Sequence, residues 1–373
     1  MGAAKIGMIS AIILSLIVDH VQGWCAFEHA LVASLATTYM HENSVKVLDT
    51  ILQDCPWKQA YPTMSNVASA SAWADFIRND RKNKGEGLYF KAPFVPPKNG
   101  FWHFTNVPFE CHPENPGPPI LDLSELPLLE RLTEPGNPYD TVDNAAYILE
   151  RAIKEWKHPT SKWHLNVLLR YFIHSFVDIH QPMHASQAKS LWFPDGDNGG
   201  VCWHFENSKD FGFKNLHYVW DRAAGAYGDK HWDPAEGHLA DQNDLELDKE
   251  ILRLFNVDMP KEMITMVDWE HLNSMEDELF FEQVEGHLLF RQIIEESNII
   301  VQQEAYSDLA IPKRFREQNL QTSKPRFPRP SNDYMLKVRD ITQGQLVKAA
   351  KRLGLLLEKM ANIAMENEFA DLN

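Results

Sequence analysis

Two His–Asp pairs in the sequence have the spacing and the residue types that metal chemistry requires. His174 precedes Asp178 by four residues, and His217 precedes Asp221 by the same interval. Residues four apart on an α-helix share one face, about 6 Å apart along the axis. Imidazole and carboxylate are ligands that zinc accepts in hydrolytic sites. One such pair alone is typical of an ordinary hydrogen bond, whereas two pairs together with a flanking histidine favour a metal centre.

A third histidine lies close to the first pair in the stretch "YFIHSFVDIHQPMH". His184 follows Pro182, at which the helix must break, so its ring can turn back toward the face of His174. Buried imidazoles and carboxylates in this number are hard to satisfy without a metal. His180 lies off the stripe formed by His174 and Asp178, and we predict no ligand role for it.

Three further candidates lie upstream. His29 occurs in "WCAFEHA", Asp75 in "SAWADFIR" on an otherwise apolar helix face, and His103 between aromatic residues in "FWHFTNVPF". A histidine surrounded by large aromatic residues is shielded from water, which suits a metal ligand. Taken alone, His29 and His103 each fit a hydrogen-bonded core histidine better than a metal ligand.

The N-terminus has the three parts of a secretory signal peptide. Lys5 supplies positive charge, "IGMISAIILSLIV" supplies the apolar run, and small residues precede Trp24. We predict removal of residues 1–23 and a protein that is secreted or held in the lumen of an endomembrane compartment. The apolar run is short for a membrane span, and the C-terminus carries no apolar tail that would anchor the chain. The new α-amine and the carbonyl oxygen of Trp24 could chelate a metal together with His29.

The net charge and the number and spacing of the cysteines limit the kinds of function that the chain can have. The net charge of −16 disfavours non-specific binding to polyanions, so phosphate chemistry would need local positive charge such as bound metal ions. In a secreted chain an even number of cysteines predicts disulfides, with the pairing left open. The cysteines are Cys25, Cys55, Cys111 and Cys202, and none has the C-x-x-C spacing of a cysteine zinc site.

Helical periodicity dominates the chain and predicts a mainly α fold in a single catalytic domain over residues 24–373. The periodic segments are Glu28–Met40, Ser44–Gln53, Ala68–Arg78, Thr141–Trp156, Ser161–Gln181, Glu278–Tyr306 and Ile341–Glu366. The best strand pattern is the short Val201–Phe205. Ala92–Pro138 is predicted to be an extended, proline-rich surface loop, and Pro312–Ser331 a basic, solvated linker.

The ordered set of motifs resembles the zinc-dependent single-strand nucleases and 3′-nucleotidases of fungi, plants and protists. The motifs are Trp24 five residues before His29, "SAWADFIR", "WHF", "H-x3-D-x3-QPMH", "GDNGG" and "NLHYVWD". That family shares its fold with the bacterial zinc phospholipases C. The resemblance runs from Trp24 to Asp221 and resumes in the amphipathic closing helix at 341–366. Residues 227–330 match no motif, and we expect a family-atypical insertion there.

The resemblance implies three zinc ions. The first would be held by Asp75, His103, His174 and Asp178. The second would be held by the Trp24 amine and carbonyl with His29, sharing Asp178 as a bridge. The third would be held by His184, His217 and Asp221.

The resemblance also implies the reaction, which is cleavage of P–O3′ bonds in single-stranded DNA and RNA to give 5′-phosphorylated ends, and release of 3′-phosphates from nucleotides. Arg78 would contact the phosphate, and Phe104 would stack on a base, although core packing explains Phe104 equally well. Two positions depart from the family pattern. Asn106 replaces an aspartate that orients or deprotonates the attacking water, and Val201 replaces an asparagine that meets the nucleotide.

Two other functions remain open on the sequence. One is a phospholipase C of the same fold, which would need an acidic or aromatic pocket for a choline headgroup. The other is a zinc-binding relative with weakened catalysis, for which Asn106 and Val201 are the signs. The sequence does not determine the oligomeric state, and we expect a monomer.

Overall fold

The computed structural model describes residues 24–53, 64–80, 102–110, 144–190, 192–227, 240–256, 267–284, 289–306, 309 and 326–367. For residues 77–80, 110 and 240–245 it describes the backbone alone. The predicted signal peptide, residues 1–23, lies outside the described residues. None of the described helices has the length and the apolar composition needed to cross a membrane.

Helices account for most of the described chain, which confirms the mainly α prediction. They are α1 (Ala26–Thr37), α2 (Glu42–Gln53), α3 (Val67–Ala70), α4 (Trp73–Asp80), α5 (Ala145–Trp156), α6 (Lys162–Asp178), α7 (Ser208–Phe211), α8 (Leu216–Asp221), α9 (Ala240–Phe255), α10 (Trp269–Ser274), α11 (Asp277–Val284), α12 (Leu289–Ile300) and α13 (Asn332–Glu366). Short 3₁₀ turns occupy Pro182–His184 and Ala223–Gly225, and a π-helical turn follows α12 at Val301–Ala305. The strands are β1 (Val107–Glu110), β2 (Ser186–Lys189), β3 (His204–Phe205) and β4 (Arg326–Phe327).

The core is built around α1, which is buried on nearly every side and packs along the 35-residue helix α13. A helix that is apolar all round is stable only when other elements enclose it. The two helices cross closely at Gly354, where a Cβ atom would lie 2.8 Å from the carbonyl oxygen of Ala36. The crossing therefore needs glycine, and it fixes the position of the segment that carries His29.

Local chemistry explains where the central helix α6 begins and ends. The side chain of Ser161 caps its first turn by accepting a hydrogen bond from the backbone N–H of His164. The helix ends at Asp178, and Pro182 opens a 3₁₀ turn whose last residue is His184. Proline suits this first position because it lacks an N–H and has a fixed φ. The turn leaves His184 just beyond the end of the helix that carries His174.

Two parallel strand pairs join segments that are distant in sequence. β1 pairs with β2 in the register Val107 to Ser186, and β3 pairs with β4 in the register His204 to Arg326. The backbone N–H of Thr105 donates to the carbonyl of His184 over 2.9 Å, which extends the first pairing toward the metal-ligand candidates. The segment after His103 is thus tied to the segment after His184.

Several predicted boundaries shift in the structure. α13 begins nine residues before the expected Ile341, because Ser331 caps it by accepting from the N–H of Tyr334. The described part of the Ala92–Pro138 segment, 102–110, contains β1 and buried side chains, so this part is not a surface loop. Of the predicted linker, Arg326–Phe327 form β4.

The stretch expected to be an insertion contains α9 to α12, and α12 is packed into the core. Ser297 Oγ donates to the carbonyl of Ile179 over 2.7 Å, and Asn298 accepts from Ser186 Oγ over 2.6 Å. These bonds hold the chain on both sides of the 3₁₀ turn that ends at His184. The limits of an insertion at 227–330 remain a prediction.

The described cysteines, Cys25 and Cys202, are not joined to each other. Cys55 and Cys111 lie outside the described residues. The formation of two disulfides by these four cysteines therefore remains a prediction.

Candidate metal centre

Asp178, the last residue of α6, lies at the middle of a buried cluster of histidines. Its Oδ2 atom is 3.1 Å from His103 Nδ1 and 3.1 Å from His174 Nε2. Its Oδ1 atom is 3.3 Å from His29 Nε2 and 3.6 Å from His184 Nδ1. One carboxylate therefore contacts imidazoles from four separate segments of the chain.

Two groups of metal-binding side chains adjoin this carboxylate. His29, His174 and Asp178 form one group, and Asp75, His103 and His174 form the other, with the ligand atoms of each within 4.8 Å of one another. Nε2 of His174 lies 2.8 Å from Nδ1 of His103, and the His29 and His174 rings stack with centroids 4.0 Å apart. His174 belongs to both groups, so the two sites are contiguous.

A third group is formed by His184, His217 and Asp221, whose ligand atoms also lie within 4.8 Å of one another. Asp221 Oδ2 is 3.2 Å from His217 Nε2, and Asp221 Oδ1 is 3.7 Å from His184 Nε2. The His184 and His217 rings are stacked at 5.1 Å. His184 also contacts Asp178, so this group adjoins the other two.

Backbone carbonyls fix the orientation of three of these imidazoles. Nδ1–H of His174 donates to the carbonyl of Ser71 over 2.6 Å, that of His184 to His103 over 2.5 Å, and that of His217 to Gly199 over 2.7 Å. Each bond selects the tautomer in which Nε2 carries a lone pair. Metal-ligating histidines commonly have such an outer hydrogen bond, which also raises their basicity.

Two residues with supporting roles were not predicted from the sequence. The amide of Gln181 donates to Asp221 Oδ1, while its carbonyl oxygen accepts from the N–H of Met183, so it orients Asp221 from the 3₁₀ turn. Gly199, with φ +58, places its carbonyl against His217, and a Cβ atom there would lie 2.4 Å from the carbonyl oxygen of Met183. The motifs "QPMH" and "GDNGG" contain both residues, but spacing alone does not reveal what they touch.

Because the cluster is buried, its ionisable side chains shift one another's pKa values strongly. Burial opposes ionisation of Asp178, but His174, His184 and His29 outweigh it and hold its pKa well below the usual value. Burial likewise opposes the charged form of His184, but Asp178 and Asp221 raise its pKa to about 9. The pKa of His29 is lowered by burial and by His174. Proton and metal would therefore compete for the same ring nitrogens.

The donor set fits metal ions because several of its polar atoms are buried and make no hydrogen bond to any residue that the structure describes. These are both ring nitrogens of His29, Nε2 of His184, and Oδ1 of Asp75 and Asp178. Leaving such atoms unpaired in a dry interior is costly, and divalent cations are the partners that satisfy imidazole and carboxylate together. The neighbouring Glu28 is also fully buried, and burial raises its pKa well above the ordinary value.

The remaining predicted site residues lie in different surroundings. Trp24 is fully buried, five residues before His29 and two residues before the first residue of α1. Arg78 lies on α4, one turn after Asp75, and its side chain lies outside the described residues. Asn106 follows His103 at φ +52 and is half-buried. Phe104 is 7% exposed and packs against Val201, so its described contacts are apolar.

His180 belongs to a different buried network, just beyond the end of α6. Its Nδ1–H donates to the carbonyl of Phe176 over 2.8 Å, and Arg352 Nη1 lies 3.3 Å from its Nε2. Arg352 in turn forms two bonds to Glu296, of 2.7 and 3.0 Å. Burial and the positive charge of Arg352 lower the pKa of His180 well below its usual value, so the ring is neutral.

Comparison with known proteins agrees with this geometry. No curated protein is similar enough to the chain to count as a match. A family model, described as S1/P1 nuclease, matches residues 24–362, which include every candidate ligand. The chain therefore belongs to the S1/P1 nuclease family, the zinc-dependent single-strand nucleases and 3′-nucleotidases.

Proposed function

We propose that this chain is a secreted endonuclease and 3′-nucleotidase with three zinc ions, which hydrolyses P–O3′ bonds of single-stranded DNA and RNA to 5′-phosphorylated products. What supports the proposal most is that three buried His/Asp groups adjoin one another around Asp178. In this assignment the first zinc is held by Asp75, His103, His174 and Asp178. The second is held by Trp24 and His29 with Asp178, and the third by His184, His217 and Asp221.

Bound zinc would supply a water molecule of lowered pKa and positive charge for the phosphate oxygens. The chain itself would hold the ligand side chains at the positions and in the orientations that the metal ions require. Asp178, which its histidine neighbours keep ionised, lies within reach of two metal positions. The outer hydrogen bonds of His174, His184 and His217 prevent their rings from rotating.

We assign Asn106 to the attacking water and Phe104 to a base of the substrate. The amide of Asn106 can orient a water molecule by hydrogen bonding but cannot take its proton. Its left-handed backbone is one that asparagine and aspartate both tolerate. A base near Phe104 and Val201 would meet apolar atoms, which favours stacking without discrimination among bases. Arg78, one turn after Asp75, is assigned to the phosphate.

A zinc-binding relative with weakened catalysis is the second candidate, and Asn106 is the observation that favours it. The nuclease and the relative with weakened catalysis are distinguished by an activity assay. Processed protein, starting at Trp24, is incubated with denatured DNA, RNA and 3′-AMP, with and without chelator. We expect chelator-sensitive formation of 5′-phosphorylated fragments and release of phosphate from 3′-AMP. Phosphatidylcholine is included as a substrate, since headgroup release from it alone would indicate a phospholipase C. A protein that contains zinc but turns over none of these substrates would leave only the second candidate.

The proposed role of Trp24 has a separate test. A chain with one alanine added before Trp24 moves the α-amine away from His29 while leaving every side chain in place. We expect it to lose one zinc ion by elemental analysis and most of its activity. Equal zinc content and activity in both proteins would show that the α-amine is not a ligand.

A further inference from the structure

Helix α12 and the π-helical turn that follows it lie behind the ligand group of His184, His217 and Asp221. The helix packs against the 3₁₀ turn that ends at His184, and the π-helical turn at Val301–Ala305 continues the helix. Turns of this kind are uncommon and occur most often at functional sites. Both elements belong to the stretch 227–330, which matches no motif, so the sequence gives no hint of what they do for the metal centre.

The helix holds the chain on both sides of His184. Ser297 Oγ donates to the carbonyl of Ile179 over 2.7 Å, and Ser186 Oγ donates to Asn298 Oδ1 over 2.6 Å. All four of these residues are buried. Hydrogen bonds in a dry interior are electrostatically stronger than bonds in water. Two neighbouring residues of α12 therefore fix the start and the end of the segment that presents His184.

The residue after the π-helical turn acts on the side of His217. The hydroxyl of Tyr306 donates to Asp197 Oδ2, and Asp197 Oδ1 accepts from the N–H of Ala188 over 3.0 Å. Two residues further along the same loop, the carbonyl of Gly199 accepts from His217 Nδ1 over 2.7 Å. Tyr306 thus holds the loop whose carbonyl orients the His217 ring.

A third connection leads from the π-helical turn to the helix that carries Asp221. The hydroxyl of Tyr334, at the start of α13, donates to the carbonyl of Ala305 over 2.7 Å. The same hydroxyl accepts from Trp220 Nε1 over 3.1 Å, and Trp220 precedes Asp221 on α8. Each of the three ligands in the group is therefore tied, through one or two buried bonds, to a single short stretch of chain.

We propose that α12 and its π-helical turn position the third metal-ligand group, with Ser297, Asn298 and Tyr306 as positioning residues. They act on the chain that carries a ligand or on the loop that orients one, and they set the distance between His184 and His217. The consequence for zinc rests on the proposed function, whereas the positioning itself requires neither metal nor turnover.

Amide hydrogen exchange in the metal-free protein tests the positioning directly. Tyr306→Phe removes the bond to the loop, so we expect amides of residues 196–202 to exchange about fivefold faster or more. Ser297→Ala should have the same effect on residues 180–186. Exchange that is unchanged in both segments, or that rises equally along the whole chain, would overturn the proposal.

The chain offers a matched control for each variant. Tyr227 is a buried tyrosine whose hydroxyl donates to Glu250 over 2.7 Å, and Ser44 is a buried serine whose Oγ donates to Glu358 over 2.7 Å. Tyr227→Phe and Ser44→Ala remove one buried hydroxyl each but should leave exchange in both segments at the parent rate. Faster exchange of these segments in the controls would show that the loss of any buried hydroxyl has this effect, and would count against the proposal.

Zinc titration against a competing chelator tests the consequence for the metal centre. In Tyr306→Phe and Ser297→Ala, one of three zinc ions should bind about 10-fold more weakly, and the other two should bind as in the parent. In an Asp221→Asn background, which should already lack that ion, neither change should affect the remaining two. Equal weakening of all three ions, or of none, would refute the assignment. A parent protein that binds fewer than three ions would contradict the proposed function instead, and the exchange result would still decide whether α12 positions this group.

Discussion

Asp178 connects the groups of the centre, because one side chain contacts His29, His103, His174 and His184. Among the histidines that the structure describes, Asp221 by contrast contacts the two of its own group, His184 and His217. The two carboxylates should therefore differ in how many metal ions depend on them.

Substituting each carboxylate by its amide tests this difference. Asp178→Asn keeps the shape but removes the charge that two metal positions share, so we expect loss of two zinc ions and at least about a 100-fold fall in activity. Asp221→Asn should lose one zinc ion and retain two. Zinc content is measured by elemental analysis, with Asp210→Asn on the surface of α7 as the control. Three zinc ions in Asp178→Asn would disprove the shared role.

Asn106 allows the opposite experiment, a gain of function. Asn106→Asp introduces a group that can accept a proton at a backbone position that tolerates it, so we expect activity on denatured DNA to rise about 10-fold or more. Asn207 has nearly the same backbone conformation, φ 50, at the start of α7, and Asn207→Asp serves as the control. Equal activity in Asn106→Asp and the parent protein would mean that the metal centre needs no side-chain base.

At this scale the sequence predicted side chains better than it predicted their partners. The His–Asp spacing predicts candidate ligands because helical periodicity is a local property. The carbonyls of Ser71 and Gly199 and the amide of Gln181 act across the fold, and their positions depend on long-range packing that no local pattern encodes. The sequence predicts no ligand role for His180, and its contact with Arg352 could not be foreseen from local spacing.

Among the elements, the loop between β2 and β3 depends on one buried carboxylate. Asp197 accepts from the N–H of Ala188 over 3.0 Å and from the hydroxyl of Tyr306, which follows the π-helical turn after α12. Burial raises the pKa of Asp197 from 3.8 to about 6, although these hydrogen bonds oppose the rise. The loop that supplies the Gly199 carbonyl is therefore held by a group that titrates in mildly acidic solution.

The raised pKa of Asp197 determines how its contribution to folding stability changes with pH. A carboxyl whose pKa is raised on folding stabilises the fold below pH 4, and that contribution is lost as the pH rises through about 6. The full difference corresponds to about 3 kcal/mol. Asp197→Asn cannot ionise, so its free energy of unfolding in urea should fall less than that of the parent between pH 4 and pH 6. Asp210→Asn is the exposed control, and parallel pH curves for Asp197→Asn and the parent would rule out the effect.

The elements themselves were predictable to different degrees. Long periodic helices such as α5 and α6 were expected within a few residues of their observed limits. β1, β2 and β4 were not expected, since each is two to four residues long and exists only because a distant parallel partner pairs with it. Parallel pairing leaves little trace in local sequence.

In the molecule as a whole, the centre is a source of stability as well as chemistry. In the described part of the interior, several imidazole and carboxylate atoms, among them Nδ1 of His29 and Oδ1 of Asp75, make no hydrogen bond. Ions that bind the folded state alone stabilise it by mass action, by about 4 kcal/mol at a thousand-fold excess over the dissociation constant.

Removal of metal should therefore lower the melting temperature. We expect chelation to reduce the Tm by at least about 5 °C, and re-addition of zinc to restore it. Asp178→Asn protein, which lacks most of the metal, should respond far less to the same chelator. An unchanged Tm in the parent protein, with zinc loss verified by elemental analysis, would show that the ions contribute nothing to folding.

The close crossing of α1 and α13 at Gly354 also bears on biosynthesis. The helix that carries His29 is enclosed by the last helix of the chain, so its burial cannot be completed while the ribosome still holds α13. The helices that carry His174 and His217 also pack against α13, so their burial waits for the same closing step. On the proposed zinc assignment, metal loading would then be completed only after synthesis, and we expect the zinc supply where folding finishes to decide how much active protein forms.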